Sequence, residues 1–409
     1  MRVILHSDLN NFYASCECLL NPDLKGFPVV VCGKIKDRHG VVLAKNMEAK
    51  TLGIKTGMTL FEARKLAPEL RAVEANHDIY LKYSRLVKKI YADYTDRIES
   101  FGIDEAWLDV TESVKLFGSG EKIAEDIRRR VREEIGLTVS IGVSFNKIFA
   151  KLGSDIKKPD AVTVIDLSNY RRVVWRLPVQ DLLYVGKSTT QKLNNLGIYT
   201  IGQLATFDKK LLIQKLGKWG DFLYDYANGN DASIVSKIGE YDDVKSVGNS
   251  ITYYRDMDSI EDIKALIYML SESVASRMKK AGVGRAKTVH ISVVDNELMH
   301  YSMQSGFAFP TNLSRDIAER SIELYVQNYS NIKKVRGVGV SVTNFVKEEQ
   351  LLMGEDQKSR EKLLALDNTI EDIRRRFGSR SVCRALTKID PRLQDINING
   401  ANITARALN

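Results

Sequence analysis

Val3-Ile4-Leu5-His6-Ser7-Asp8-Leu9-Asn10-Asn11-Phe12-Tyr13-Ala14-Ser15 opens with a continuous apolar run that breaks at Ser7-Asp8. Such a run is expected of a strand buried on both faces, and residues 12–20 then read as a helix. Asp8 therefore sits where a strand runs out, a place where the sheet fixes a carboxylate and the loop opens to ligand. Alone, it reads equally as a helix N-cap. The second decisive stretch is Gly102-Ile103-Asp104-Glu105-Ala106-Trp107-Leu108-Asp109. Adjacent carboxylates in an extended strand point to opposite faces, but a tight turn after Gly102 lets Asp104 and Glu105 converge. Their apolar neighbours Phe101, Ile103, Ala106, Trp107 and Leu108 argue against a merely solvated pair. Acids clustered in a half-buried setting need a counter-charge, and a divalent cation with oxygen ligands is the usual one. Asp8, Asp104 and Glu105 at the ends of neighbouring strands suit a pair of Mg²⁺ ions, the arrangement of in-line phosphoryl transfer.

Around these stretches, residues 28–32, 40–44 and 138–145 read as strands, and 97–110 as two strands around Gly102. Residues 46–52, 59–67, 79–94, 122–135 and 146–153 read as helices. That mixture predicts an α+β or α/β fold. From 182 to 229 the strand signal gives way to short helices separated by glycines. After a polar connector at 239–244, the segments 245–253, 260–281, 287–294, 298–307, 313–328 and 333–346 alternate as β-α-β-β-α-β. This predicts a compact sheet with helices on one face. The tail beyond 347 holds one helix, with Leu363, Leu366, Ile370, Ile373 and Phe377 on an apolar stripe and Gly378 as its stop.

The 409 residues suggest two to four domains. A composition of 44% hydrophobic and 28% charged residues, with seven prolines, excludes disordered, collagen-like and disulfide-scaffold classes. No run approaches about 18 uninterrupted apolar residues, which excludes a spanning helix. The N-terminus turns polar too soon for a secretory signal, so a cytoplasmic location is expected. Cys16, Cys18, Cys32 and Cys383 show no zinc-ligand spacing and are expected as reduced thiols. The 61 basic and 52 acidic residues leave a net charge of +9, mildly favouring a polyanionic partner.

Asp8-Leu9-Asn10-Asn11-Phe12-Tyr13-Ala14-Ser15, followed by residues 102–109, resembles the two catalytic motifs of the Y-family (translesion) DNA polymerases. Within that family it is most similar to the bacterial DNA polymerase IV and UmuC-like branch. The likeness covers residues 1 to about 346 in order, with a weaker tail match. It implies an α+β multidomain right hand: palm at 1–26 and 71–168, fingers at 27–70, and a helical thumb at 169–234. A linker at 235–244, a little finger at 245–346 and the tail at 347–409 complete it. The implied activity is low-fidelity, template-directed addition of deoxynucleotides to a primer 3′-OH, with lesion bypass as its role. Primer-template DNA and deoxynucleoside triphosphates are the implied partners, and the enzyme is expected to act as a monomer.

By the same resemblance, Asp8, Asp104, Glu105 and the Leu9 carbonyl hold two Mg²⁺ ions. Tyr13 matches the steric gate, where a ring rejects a 2′-hydroxyl by clash, and Phe12 is assigned with it to the nucleotide pocket. Core packing is the alternative for Tyr13. Lys158, in Ile156-Lys157-Lys158-Pro159, matches a triphosphate-binding lysine. Lys50 falls where a basic fingers residue meets the phosphates, although a lone lysine is more often solvated. Met47 stands where the family commonly has tyrosine and Gly102 where it has serine; neither departure removes a carboxylate.

Residues 182–198 resemble a helix-hairpin-helix, whose glycine turn offers backbone N–H groups to a phosphate. Gly186 and Lys187 are its contact residues, and Tyr184 replaces the first glycine. A plain helical packing unit is the alternative. In the little finger, Arg285, Lys287, Lys333, Lys334 and Arg336 lie at strand starts that would track the DNA backbone. Gly337 and Ser341 take places where the family carries arginines. Glu348-Glu349-Gln350-Leu351-Leu352-Met353-Gly354 is similar to a sliding-clamp-binding peptide, with Gln350, Leu351 and Met353 as contacts; an acidic linker is the alternative. Two rival functions are another palm-type two-metal nucleotidyl enzyme and an inactive DNA-binding relative. The first needs no hairpin or basic terminal domain, and the intact carboxylate set argues against the second.

Overall fold

The computed structural model describes residues 1–33, 40–240, 243–329, 334–346, 357–378, 381–389 and 393. They form two units with separate cores, one built on Met1–Tyr241 and the other on Asp242–Asn402.

The first unit begins with β1 (Ile4–Leu9), buried along its whole length, and α1 (Phe12–Leu20). Next come β2 (Val29–Cys32), β3 (Val42–Lys45), α2 (Met47–Thr51), α3 (Leu60–Leu66) and β4 (Arg71–Glu74). These strands form a small sheet with β2 central, antiparallel to β3 and parallel to β4. Asn46 ties it together: its side chain caps α2 at Ala49 N, accepts from Val29 N and donates to the Phe27 carbonyl. The fingers boundary predicted at residue 70 is corrected here, because β4 pairs with β2 and carries the sheet to Glu74.

The main sheet is assembled from later elements: α4 (His77–Ala92), β5 (Ile98–Ser100), β6 (Glu105–Asp109), α5 (Val114–Phe117) and α6 (Gly120–Arg130), then β7 (Val139–Ser144), α7 (Lys147–Ile156) and β8 (Val162–Ile165). Its order is β5-β6-β1-β7-β8, with β1 antiparallel to both neighbours and β7 parallel to β8. On one face Leu5, Leu108 and Ile141 pack with Tyr91 of α4 and Ile127 of α6. On the other, Ile4 and Trp107 meet Ala150 of α7. That contact is close because Gly142 has no side chain: a Cβ there would lie 1.9 Å from the Ala150 carbonyl oxygen and 2.5 Å from Ser154 N. The backbone of α7 thus rests directly on β7. A helical section follows: α8 (Tyr170–Val174), α9 (Lys187–Asn194), α10 (Ile201–Thr206), α11 (Lys209–Leu216) and α12 (Lys218–Ala227).

The second unit comprises β9 (Ser246–Met257), α13 (Ile260–Ala281), β10 (Arg285–Asp295), β11 (His300–Thr311), α14 (Ser314–Asn328) and β12 (Val335–Val346). Its antiparallel sheet has the order β11-β10-β12-β9, matching the β-α-β-β-α-β expectation. Val289, Ile291, Val340 and Val342 share one core with Leu266, Leu270, Ile317 and Tyr325 of its helices. A final helix, α15 (Gln357–Phe377), starts earlier than its apolar stripe suggests. It docks largely through polar contacts. Glu272 of α13 accepts from Arg374 at 2.8 Å and from Arg384 at 2.6 Å, and Asp367 accepts from the Ser314 backbone and hydroxyl. The expected apolar stripe is only partly covered, with Leu366 and Phe377 53% and 75% exposed. Among the described residues, no helix is long and apolar enough to cross a membrane.

Gly142→Ala tests the contact that seats α7. The added methyl overpacks a backbone-on-backbone contact, so urea denaturation should show about 3 kcal/mol lost, at the upper end for overpacking. An unchanged midpoint would mean that α7 moves away freely.

Candidate active site

Pairing of β1 with β6 sets Asp8 directly opposite Glu105. Asp104 comes off the turn just before β6, where Gly102 adopts φ +84°. Leu9 N donates to the Asp104 carbonyl at 3.0 Å and fixes that turn against the end of β1. Three carboxylates are thereby gathered at one end of the sheet. Burial raises the Asp8 carboxyl above the usual carboxylate range; Lys158 opposes the shift and Glu105 adds to it. Burial, reinforced by Glu105 and Asp8, pushes Asp104 up to about 6.

Two lysines answer this charge. Lys151 Nζ, from α7, lies 2.7 Å from Glu105 Oε2, 3.3 Å from Asp8 Oδ2 and 3.5 Å from Asp155 Oδ2. Lys158 Nζ lies 2.7 Å from both Asp8 Oδ2 and Asp155 Oδ1. Burial alone would lower the Lys151 pKa, but Glu105 and Asp8 hold it above the ordinary lysine range. Sequence reasoning found Lys158 and missed Lys151. The signal was available in the four-residue steps Lys147, Lys151, Asp155, which share one helical face. Lys88 of α4 was also missed; burial and the neighbouring Arg85 push it down to about 8 against the pull of Asp104.

Among the described residues, no three His, Cys, Asp or Glu side chains stand together in metal-ligating geometry. The donor set nonetheless fits Mg²⁺: its side chains are hard carboxylate oxygens anchored on strands. Burial is the first cause of the raised Asp8 and Asp104 carboxyls, and repulsion among the three acids adds to it.

The Tyr13 ring is half-buried and stacked on Tyr80, with centroids 4.2 Å apart and an interplanar angle of 11°. His77 meets it edge-on at 5.8 Å, and Tyr80 is itself held by donating to Glu17 at 2.6 Å. The Phe12 side chain is only 3% exposed and belongs to the core, which leaves its backbone as the part that could face a nucleotide. No side chain caps the first turn of α1, which follows Asn11 in the left-handed region. Lys50 is exposed on α2, with no ion pair to the acidic cluster among the described residues.

In the hairpin, Gly186 precedes α9 as its N-cap and Lys187 begins it, both exposed. Tyr184 takes φ +71° where the motif has glycine. The basic residues of the second unit do not form one patch. Because β10 and β12 run antiparallel, Arg285 pairs with Val346 whereas Val335 pairs with Asp295. Arg285 and Lys287 thus lie at the opposite end of the sheet from Lys334 and Arg336, roughly 30 Å away at the usual rise per residue. Lys333, Gln350, Leu351 and Met353 lie outside the described residues.

The sheet thus carries an acidic end flanked by two lysines. Residues 7–155 match the impB/mucB/samB family model, and residues 244–354 match the impB/mucB/samB family C-terminal domain. DNA polymerase IV of Acetivibrio thermocellus is 49% identical over 401 residues, spanning 97% of this chain and 99% of that protein. DNA polymerase IV of Moorella thermoacetica is 37% identical over 390 residues, spanning 94% and 96%. Among solved structures, a Y-family DNA polymerase chimera of Dbh and Dpo4 superposes with a TM-score of 0.74 at 26% identity, covering 84% of this chain and 99% of that one. The chain belongs to the impB/mucB/samB family of Y-family DNA polymerases.

The raised Asp104 pKa has a stability consequence of definite sign. Folded Asp104 binds its proton more tightly than the unfolded chain does, so its penalty is complete above pH 6 and fades as pH falls towards 4. Asp104→Asn should therefore stabilise the metal-free protein at pH 7 by about 3 kcal/mol. The gain should shrink when both proteins are melted at pH 5; an equal gain at both pH values would contradict the shift.

Proposed function

We propose that the low-fidelity translesion DNA polymerase activity of this chain is carried by Asp8, Asp104 and Glu105, with Lys158 and Tyr13 selecting the nucleotide. The observation that carries the proposal is the strand-anchored cluster that gathers Asp8, Asp104 and Glu105 at one end of the sheet beside two lysines. Asp8, Asp104, Glu105 and the Leu9 carbonyl would hold two Mg²⁺ ions. When bound, the metal pair lowers the pKa of the primer 3′-hydroxyl and stabilises charge on the leaving pyrophosphate.

Lys158 exchanges its contact with Asp8 for the triphosphate as nucleotide enters. The first-turn N–H groups of α1, free of a side-chain cap, suit the same anion. Lys50 adds charge from the small sheet. Stacking on Tyr80 keeps the Tyr13 ring from yielding to a ribose 2′-hydroxyl, which is what a steric gate requires. Gly186 and Lys187 offer backbone N–H groups to a phosphate of primer-template DNA, and Arg285, Lys287, Lys334 and Arg336 provide two separate cationic contacts. Gln350, Leu351 and Met353 would engage a sliding clamp, with the aromatic anchor replaced by Gly354.

Primer extension on intact and abasic templates tests the assignment. Wild type should extend past the lesion. Asp104→Ala and Glu105→Ala should lose incorporation while retaining primer-template affinity, which rests on phosphate contacts elsewhere. Tyr13→Ala should raise ribonucleotide incorporation by orders of magnitude with little change for deoxynucleotides. Extension by either carboxylate variant at the wild-type rate, or unchanged sugar discrimination, would overturn the corresponding role.

The clamp contact is tested by calorimetric titration of a peptide spanning 347–357 against the host's clamp. Affinity should be weak, about micromolar or poorer. No heat at high peptide concentration, with full-length binding retained, would move the contact elsewhere.

A further inference from the structure

Asn10 directly follows β1, two residues after Asp8, and is 5% exposed. Its main chain is fixed on both sides: N donates to the Thr138 carbonyl at 2.9 Å, and the carbonyl accepts from Ser15 Oγ at 2.7 Å. Its side chain bridges two later segments. Oδ1 accepts from Asp160 N at 2.8 Å, and Nδ2 donates to Ser140 Oγ on β7 at 2.9 Å. A backbone N–H only donates, so Oδ1 must face Asp160 and Nδ2 must face Ser140. Asp160 closes the bend Lys158-Pro159-Asp160 and holds φ +53°, in the left-handed region that an L-residue enters only at a cost. From the other side Arg128 of α6 and Arg132 reach its Oδ2 at 3.1 and 3.0 Å.

We infer that Asn10 is a positioning residue for nucleotide binding: its amide bolts the bend that carries Lys158 to the end of the strand that carries Asp8. The inference rests on the reading of Lys158 as a triphosphate ligand. A lysine ammonium rides on a flexible four-carbon stem, so the places it can reach depend on where its backbone is held. The two arginines grip the Asp160 carboxylate, which can turn about its own side-chain bonds. The Asn10 bond grips the main chain itself, two residues from Lys158. Both ends of the amide are engaged, so truncating the side chain takes an acceptor from Asp160 N and a donor from Ser140 Oγ at once.

The test is single-turnover incorporation of a deoxynucleotide by the full chain on a primer-template with Mg²⁺, which gives the nucleotide Kd and the maximal rate separately, beside thermal melting. Asn10→Ala should raise Kd about 10-fold, the worth of one well-made hydrogen bond, and leave the maximal rate within a few-fold. A merely structural asparagine would lower the melting temperature and the active fraction and leave Kd unchanged. In the Lys158→Ala background Asn10→Ala should add little, because it acts through Lys158. Should Asn10→Ala fail to fold, Ser140→Ala removes the acceptor that orients the same amide and should raise Kd about 3-fold; an unchanged Kd there would overturn the role of Asn10. Lys158→Ala separates the two readings. Wild-type Kd in Lys158→Ala would overturn the triphosphate role and this inference with it. Weakened binding there, with Asn10→Ala unaffected or its loss adding in full to that of Lys158→Ala, would overturn the role of Asn10 alone.

Discussion

Asp8 and Glu105 oppose each other across β1 and β6, and Asp104 leaves the adjoining turn, so three like charges share the end of one sheet. Burying a charge without a partner costs several kcal/mol. Here the partners come from α7 and the loop that follows it. Lys151 bridges Glu105 and Asp8, and Lys158 closes on Asp8. α7 sits close to the sheet because Gly142 lets its backbone touch β7. A missing methyl group on one strand thus lets the helix that carries Lys151 rest against the sheet. Burial, with repulsion among the three acids, still holds the Asp8 and Asp104 carboxyls above the usual carboxylate range.

The same economy of material marks the nucleotide side. The three-stranded sheet of β2, β3 and β4 is held by a small core of Val30, Val42, Ala49, Ile54, Ala63, Ala67 and Leu70. Discrimination between substrates comes from contacts that differ between right and wrong, and so small an element can build few of them around a base pair. The Tyr13–Tyr80–Glu17 chain of contacts is built separately, on α1 and α4. As the proposed sugar gate it needs only one rigid ring, so loose checking of the base would leave it intact.

Much of this was legible in the residues. The break at Ser7-Asp8 and the pair Asp104-Glu105 marked the acidic end of the sheet, and the β-α-β-β-α-β order of the second unit followed from periodicity alone. β4 and β8 were missed although only β4 lacks a signal: Arg71–Glu74 has two apolar residues between charges, whereas Val162–Ile165 is a short run of β-branched residues that reads as a strand. The motif names Phe12 and Tyr13 together, but consecutive helix residues face different surroundings: the Phe12 ring is buried in the core and the Tyr13 ring only half-buried. Lys151 carries no motif of its own; its meaning comes from a helix packed across the strands. Strand starts placed the basic residues of the second unit, but only antiparallel pairing shows that Arg285 and Lys287 lie at the opposite end of the sheet from Lys334 and Arg336.

Two departures from the family pattern show how backbone geometry absorbs sequence change. Gly102 replaces a serine at φ +84°, a conformation glycine takes without strain. The turn that delivers Asp104 is therefore set by the main chain rather than by a side-chain hydrogen bond. Tyr184 runs the other way, holding φ +71° where glycine would be free to do so, at a cost of roughly 1–2 kcal/mol for an L-residue. Its ring packs at 5.8 Å from Trp219 and 6.2 Å from Tyr226, both on α12. Aromatic pairs in such tilted arrangements contribute about 0.5–1.5 kcal/mol each beyond their buried area, enough to offset the strained backbone. The hairpin thus keeps its turn by tertiary packing, so its conformation depends on α12 as well as on the local sequence.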